Sequence, residues 1–199
     1  MDLQTQPING KAQSAVFDES RLTGKHVVLW PYVRGYVARD MPYRLWAIME
    51  REDILKYVLY ENPTGELEQK AHGDLAHFIA YFSDPKKIIL VVQHIESKEL
   101  AGMTWFDVER PGYRCMASWW IRRKFWGEPA REAGKMACDY MFNCIGTEHI
   151  WGFTPWETSA KSGVAQGFEY VIALPEYLLV NGKPRDAHVV HYARVNFKR

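Results

Sequence analysis

The chain has almost no net charge. Its 199 residues carry 25 lysines and arginines against 24 aspartates and glutamates, a formal +1 at pH 7. No global basic field speaks for nucleic acid, and there is no acidic tail. Cysteine is scarce. Cys115, Cys138 and Cys144 have no C-x-x-C spacing, and an odd count without pairs fits a reducing compartment. No histidine or cysteine partner sits at ligand spacing, so no metal site is expected. No apolar run reaches the roughly 18 residues that a membrane span needs. Residues 1–14 lack the apolar stretch of a signal peptide, and the expected location is cytoplasmic. Repeats and low-complexity tracts are missing too. At 47% hydrophobic and 25% charged the balance is that of a globular chain, which excludes whole-chain disorder and fibrous rods.

What the chain has in excess is rings: 8 Trp, 11 Tyr and 9 Phe. Such rings fill a core, or they line a pocket or an interface.

The polar residues 1–20 read as a flexible N-terminal arm, and 21–199 as a single domain. Val27 to Trp30 is an apolar, β-branched run after Gly24, a strand signal. Pro42 to about Tyr60 reads as a helix, and Ala71 to Phe82 as another, with Asn62-Pro63 breaking the chain between them. Ile88–Gln93, Leu100–Val108 and about Arg114–Arg122 read as three strands of an antiparallel meander. After Trp126-Gly127 the period becomes helical. Ala133, Ala137, Tyr140, Met141 and Cys144 share one face, and Gly146 ends the helix. Ile150–Thr154 is a strand, Pro155–Ala165 a short helix, and Phe168–Leu174 and about Ala187–Asn196 two last strands with Asn181-Gly182 in a turn between them. The order is β-α-α-β-β-β-α-β-α-β-β, an α+β domain.

The segment Trp119 to Ala133 joins a strand end, a glycine turn and a helix start. The first amides of a helix have no intrahelical partner and lie at the positive end of its dipole, which suits a phosphate. Arg122, Arg123, Lys124 and Arg131 surround this start, against Glu128 and Glu132. A solvated basic surface has the same composition.

Four phrases in order resemble the GNAT acyl-CoA N-acyltransferases, in the branch of the ribosomal-protein alanine acetyltransferases. They are Arg21-Leu22-Thr23-Gly24 through Pro31; Trp119-Trp120-Ile121 with Trp126-Gly127 and Glu132-Ala133; Ser159 with Gly167-Phe168; and Asn181-Gly182, Asp186 and His191-Tyr192-Ala193-Arg194. Together they span about residues 21–197. The resemblance implies a three-layer α/β/α fold around a mixed, mostly antiparallel, splayed sheet. It implies acetyl-CoA, or another acyl-CoA, as the acyl donor, and direct attack by a primary amine. The amine belongs to a small molecule or a protein N-terminus, and the protein is a monomer or a homodimer. By the same resemblance the backbone of Trp120, Ile121 and Arg122 pairs with the pantetheine arm. The turn and helix start, from Lys124, Phe125, Trp126, Gly127 and Glu128 to Ala130 and Arg131, cradle the pyrophosphate.

Three positions depart from the family pattern. Pro129 replaces a glycine and has no amide to donate. Glu128 puts a negative charge beside the expected phosphates, where it also suits the helix dipole. Trp156 replaces an asparagine. These changes motivate an alternative, a catalytically degenerate binding or regulatory protein with the same fold. Contact of nucleic acid with the four basic residues is a third reading, for which the charges are few.

Ser159 is a candidate partner of CoA or its leaving thiol, and Ser162 a candidate CoA contact; the other reading of both is an ordinary helix serine. Asp107 and Glu109, at the end of the second meander strand, are candidates to take the amine's proton. Their other reading is a solvated strand end. Tyr170, two residues past Phe168, is a candidate to reach the cleft. Cys115 has no base partner in view and reads as a buried structural thiol. Trp30, Trp46, Trp105 and Trp151 are expected in the core, and Trp119, Trp120, Trp126 and Trp156 at the cleft.

Overall fold

The computed structural model describes residues 22–32, 39–55, 75–180 and 182–197. The expected arm, residues 1–20, lies outside them, as do residues 56–60 and 71–74 of the two expected helices.

Among the described residues the elements are β1 (Val27–Pro31), α1 (Met41–Arg51), α2 (Leu75–Tyr81), β2 (Lys87–His94), β3 (Leu100–Arg110), β4 (Arg114–Ile121), α3 (Glu128–Tyr140), β5 (His149–Thr154), α4 (Glu157–Ala165), β6 (Glu169–Val180) and β7 (Lys183–Ala193). Their order is the one expected. The strands form one sheet in the spatial order β1-β2-β3-β4-β5-β7-β6. Only the β4–β5 pair is parallel. Its crossover is α3.

Two clusters of buried side chains lie on the two faces of the sheet. On one face Ala133, Ala137 and Cys138 of α3 and Ala160 of α4 pack with Leu29, Leu90, Phe106, Ala117 and Ile150. On the other, Leu45, Trp46 and Met49 of α1 and Phe78 of α2 pack with Ile89, Val91, Trp105 and Trp120. Alternation along each strand supplies both sets, since successive side chains point to opposite faces. The result is the expected three-layer α/β/α sandwich.

Several boundaries differ from the sequence reading. Helix α1 ends at Arg51, and Asp53 then turns with φ 53°. Strand β6 continues past Leu174 to Val180, and β7 begins at Lys183 rather than Ala187. Pro175 lies inside β6, where proline argues against a ladder. The chain absorbs it in an irregularity between Leu174 and Leu178, with Glu176 at φ 50°, and the hairpin then resumes. Gly146 closes the α3 segment in the left-handed region, as a terminal glycine does, after a π-helical turn over Met141–Ile145.

The tryptophans divide largely as expected. Trp46 and Trp105 are buried, and Trp151 is half-buried. Trp30 is the exception. It faces out from edge strand β1, 44% exposed, and its Nε1–H donates to Gln93 Oε1 at 3.2 Å.

All three thiols are free. Burial, with help from the Glu109 carboxylate, pushes the Cys115 thiol up to about 12, and burial raises Cys138 as well. A thiol is a nucleophile only as thiolate. The folded protein is therefore expected to give at most one fast equivalent with a thiol reagent at pH 8, from half-buried Cys144, and three in denaturant. Rapid modification of Cys115 in the folded state would contradict this burial.

Candidate active site

The parallel pair at the centre of the sheet is short. Arg114, Cys115 and Met116 pair with His149, Ile150 and Trp151, and there the pairing stops. Strand β4 continues to Ile121 beside β3, and β5 continues to Thr154 beside β7. The two strands splay apart beyond Met116 and open a cleft of about 1500 Å³.

Residues from both sides of the sheet line the cleft. On the α3–α4 side it is lined by Arg123, Trp126, Gly127, Ala130 and Arg131, with Ser159, Ser162 and Gln166 of α4 and its exit. On the α1–α2 side it is lined by Glu52, Asp53, Asp84, Lys87, Trp105 and Asp107. Trp119, Trp120, Phe153 and Trp156 form walls between them. Five of the eight tryptophans, these three with Trp105 and Trp126, line the cleft, and none of the described tyrosines does.

The start of α3 borders the cleft with its first turn. Gly127, the N-cap, holds φ 93°. Arg131 N–H donates to Gly127 O at 3.0 Å, closing the first turn. The amides of Glu128 and Ala130 precede Arg131 N–H, the first intrahelical donor, and Pro129 between them has none. Proline is the second helical residue, where its fixed φ suits the helix. Glu128 is ion-paired to Arg131 across one turn.

The structure separates the candidates of this segment. Trp120, Ile121, Trp126, Gly127, Ala130, Arg131 and Ser162 line the cleft. Arg122, Lys124, Phe125 and Glu128 are not among its lining residues. Arg122 N–H donates to Ala101 O at 2.8 Å, so the ladder runs one residue past β4. Its side chain, 7% exposed, turns to the α1–α2 face. There its Nε–H donates to Glu52 Oε1 at 2.7 Å, and its Nη1–H groups to Glu99 Oε2 at 3.1 Å and to Leu100 O at 2.9 Å. Lys124 pairs with the same Glu99. The Lys124 hydrogen bond, opposed by desolvation and aided by Arg122, holds the Glu99 carboxyl below its ordinary range. Phe125 is buried against His94, with ring centroids 4.9 Å apart.

Arg123, the neighbour of Arg122, is the basic residue that enters the cleft beside Arg131. The sequence reading counted it among the four basic residues at the helix start but not among the residues of the cradle. The signal was available: even-numbered β4 residues share a face, so Arg122 follows Trp120 toward α1.

Among the remaining candidates, Asp107 on β3 and Ser159 on α4 both line the cleft. Asp107 is ion-paired to Lys87. Glu109 is not among the lining residues and is paired with Arg114 at 2.5 Å. Regular alternation along β3 would put Asp107 and Glu109 on one face, but the β3–β4 register shifts between Val108 and Arg110. Tyr170 is also outside the lining. It is 46% exposed on β6, and its hydroxyl and His188 Nδ1 are 2.9 Å apart. Ser162 Oγ accepts from Gln166 Nε2 at 3.4 Å, and Gln166 lies so close over Gly134 that a Cβ there would meet its Oε1 at 1.9 Å. His191 does not join His188. It contacts His149, Nε2 to Nδ1 at 3.0 Å, and burial followed by the neighbouring His149 lowers its pKa. No group of three metal-ligating side chains occurs among the described residues.

Glu132 of α3 accounts for two of the sequence phrases together. Its carboxylate accepts the amides of Lys25 at 2.7 Å, His26 at 2.7 Å and Val27 at 3.0 Å. A Cβ on Gly24 would lie 2.5 Å from Glu132 Cδ. The glycine before β1 and the glutamate on α3 are one contact.

No protein-family description and no curated protein matches this sequence. Solved structures do match in shape. The chain is similar to spermidine N-acetyltransferase from Vibrio cholerae in complex with CoA and spermine, at TM-score 0.68 and 15% identity over 86% of this chain and 97% of that one. It is similar to the ribosomal-protein-S5-alanine acetyltransferase from Vibrio fischeri, at 0.65 and 15% over 89% and 98%. It is also similar to the microcin C7 self immunity acetyltransferase in complex with acetyl-CoA and AMP, at 0.66 and 12% over 87% and 99%. The fold is that of the GNAT acetyltransferases.

Proposed function

We propose that this protein is an acyl-CoA-dependent N-acyltransferase that transfers an acetyl or related acyl group to a primary amine. One observation carries the reading: the parted β4–β5 pair leads straight to the α3 N-terminus with Arg123 and Arg131 beside it. Beyond Met116 one edge of β4 has lost its partner strand, and an extended ligand bearing amides satisfies such an edge. The pantetheine arm is such a ligand, and the phosphates of CoA suit the two arginines and the helix start. The residues present fit this donor, with one amide fewer because of Pro129. The neighbours solved with CoA or acetyl-CoA support the same reading.

The bound donor supplies an activated thioester. This chain aligns the amine with it, and proximity of this kind is worth several orders of magnitude in rate. As the new carbon–nitrogen bond forms and the carbon–sulfur bond breaks, one proton leaves the nitrogen and one reaches the departing sulfur. Asp107, from the α1–α2 side, takes the first role, and Ser159, from the α3–α4 side, takes the second. The acceptor enters from the α1–α2 side, whose lining holds the carboxylates of Glu52, Asp53, Asp84 and Asp107 against Lys87 and favours a cationic amine.

Calorimetric titration with acetyl-CoA, followed by CoA-thiol release with a panel of primary amines, tests the reading. No binding at millimolar CoA would overturn it. Arg123→Glu is expected to weaken CoA about tenfold or more, because it replaces a charge-assisted contact with repulsion, while leaving the Tm unchanged. An unchanged CoA affinity would place the phosphates elsewhere.

A second reading has its own observation. Pro129, the Glu128–Arg131 pair and Trp156 in the cleft wall all stand where the family pattern has other residues. Binding of CoA without turnover of any amine in the same panel would favour a degenerate binding protein.

A further inference from the structure

Trp126 differs from the other rings of the cleft. It is 64% exposed, so little packing holds it. Yet its Nε1–H is committed, donating to Ile121 O at 2.8 Å. Ile121 is the last residue of β4, and Trp126 folds back on it through the 3-10 turn of Arg123–Phe125. Both residues line the cleft.

The position of that carbonyl matters. Arg122 N–H bonds to Ala101 O on β3, and Met103 pairs with Trp120. Even-numbered residues of β4 therefore direct their backbone groups to β3. Ala117, Trp119 and Ile121 direct theirs to the side that β5 has left. The indole N–H thus occupies a backbone acceptor of the unpaired edge, the edge assigned above to the donor's arm. Gly127, at φ 93°, is the next residue and provides a flexible joint to α3.

We propose, resting on the acyl-CoA reading above, that Trp126 is a displaceable gate on the pantetheine track. Its indole N–H holds the Ile121 carbonyl until an amide N–H of the arm takes that acceptor and releases the ring. One N–H···O bond is exchanged for another, so the edge is never left unsatisfied. The gate also covers a strand edge that would otherwise invite pairing with the wrong chain.

The full-length protein tests this directly in nitrogen–proton correlation spectra. The Trp126 indole signal is assigned by its disappearance in Trp126→Phe. Adding CoA or pantetheine to the unsubstituted protein is expected to shift that signal and to speed its exchange with water. Adenosine 3′,5′-bisphosphate, which has the phosphates but no arm, is expected to leave it in place. In calorimetry, Trp126→Phe is expected to bind CoA roughly threefold to tenfold tighter, because the competing hydrogen bond is gone. A Trp126 signal that stays put while CoA binds, or an equal or weaker affinity in Trp126→Phe, would reduce the bond to a fixed latch of the loop. That outcome sinks the gate and leaves the acyl-CoA reading standing. CoA that binds neither protein sinks both.

Discussion

Replacing Gly24 with alanine is expected to cost about 2 kcal/mol, and to cost almost nothing once Glu132 has been replaced. The Glu132 carboxylate receives three backbone amides in succession, from Lys25, His26 and Val27. Hydrogen bonds to a charged group contribute roughly 1.5–3 kcal/mol each when well sheltered. These are exposed or half-buried, so Glu132→Ala is expected to lose about 3 kcal/mol in all. A Cβ on residue 24 would stand 2.5–2.8 Å from the three terminal atoms of that side chain. The carboxylate must then leave its amides, and this displacement is the whole cost. The Gly24 backbone is not in the left-handed region, so alanine adds no strain of its own. Without Glu132, alanine is expected to be neutral or to stabilise by about 0.5 kcal/mol, because it narrows the unfolded ensemble. Urea unfolding of the two single variants and the double variant gives the coupling energy, expected near 2 kcal/mol. Additive costs would mean that Gly24 matters for some reason other than Glu132.

This pair shows what the sequence made legible and what it did not. The element order could be read because burial sets the period of each segment. Gly24 and Glu132 could each be matched to a family phrase. That they touch could not, since 107 positions separate the glutamate from Lys25, the first amide it holds. A strand end, a glycine and a helix start are adjacent in the chain, so the segment that borders the cleft could be read as one unit. The lining of the cleft needed the side-chain directions. Arg122 and Arg123 are neighbours with the same charge, yet one is an internal clamp and the other enters the cleft. Tyr170 pairs with Val190 at the start of β6, and its hydroxyl meets His188, 18 positions away, a partner that no local pattern encodes.

The clamp carries the second large effect. Arg122→Met at pH 7 is expected to lose about 3 kcal/mol. Its guanidinium is nearly enclosed and joins Glu52, at the end of α1, to Glu99 and to the carbonyl of Leu100 at the start of β3. Methionine fills similar volume but leaves two carboxylates facing each other and one carbonyl without its donor. Breaking a buried ion pair from one side costs about 3–5 kcal/mol. The carboxylates here are 27% and 43% exposed, so water screens part of that and the lower figure applies. The pH dependence has a definite sign. The Glu99 carboxyl is held below its ordinary value of 4.5, first by Lys124. Its contribution is full above that value and disappears as pH falls through the folded one. Acid therefore weakens the unsubstituted protein, while in Arg122→Met it also removes the repulsion between Glu52 and Glu99. The stability gap between the two proteins is expected to narrow from pH 7 toward pH 3, and Arg122→Met/Glu52→Leu is expected to recover part of the loss at pH 7. A gap that stays constant with pH would mean that Arg122 acts through packing of its stem rather than through its charge.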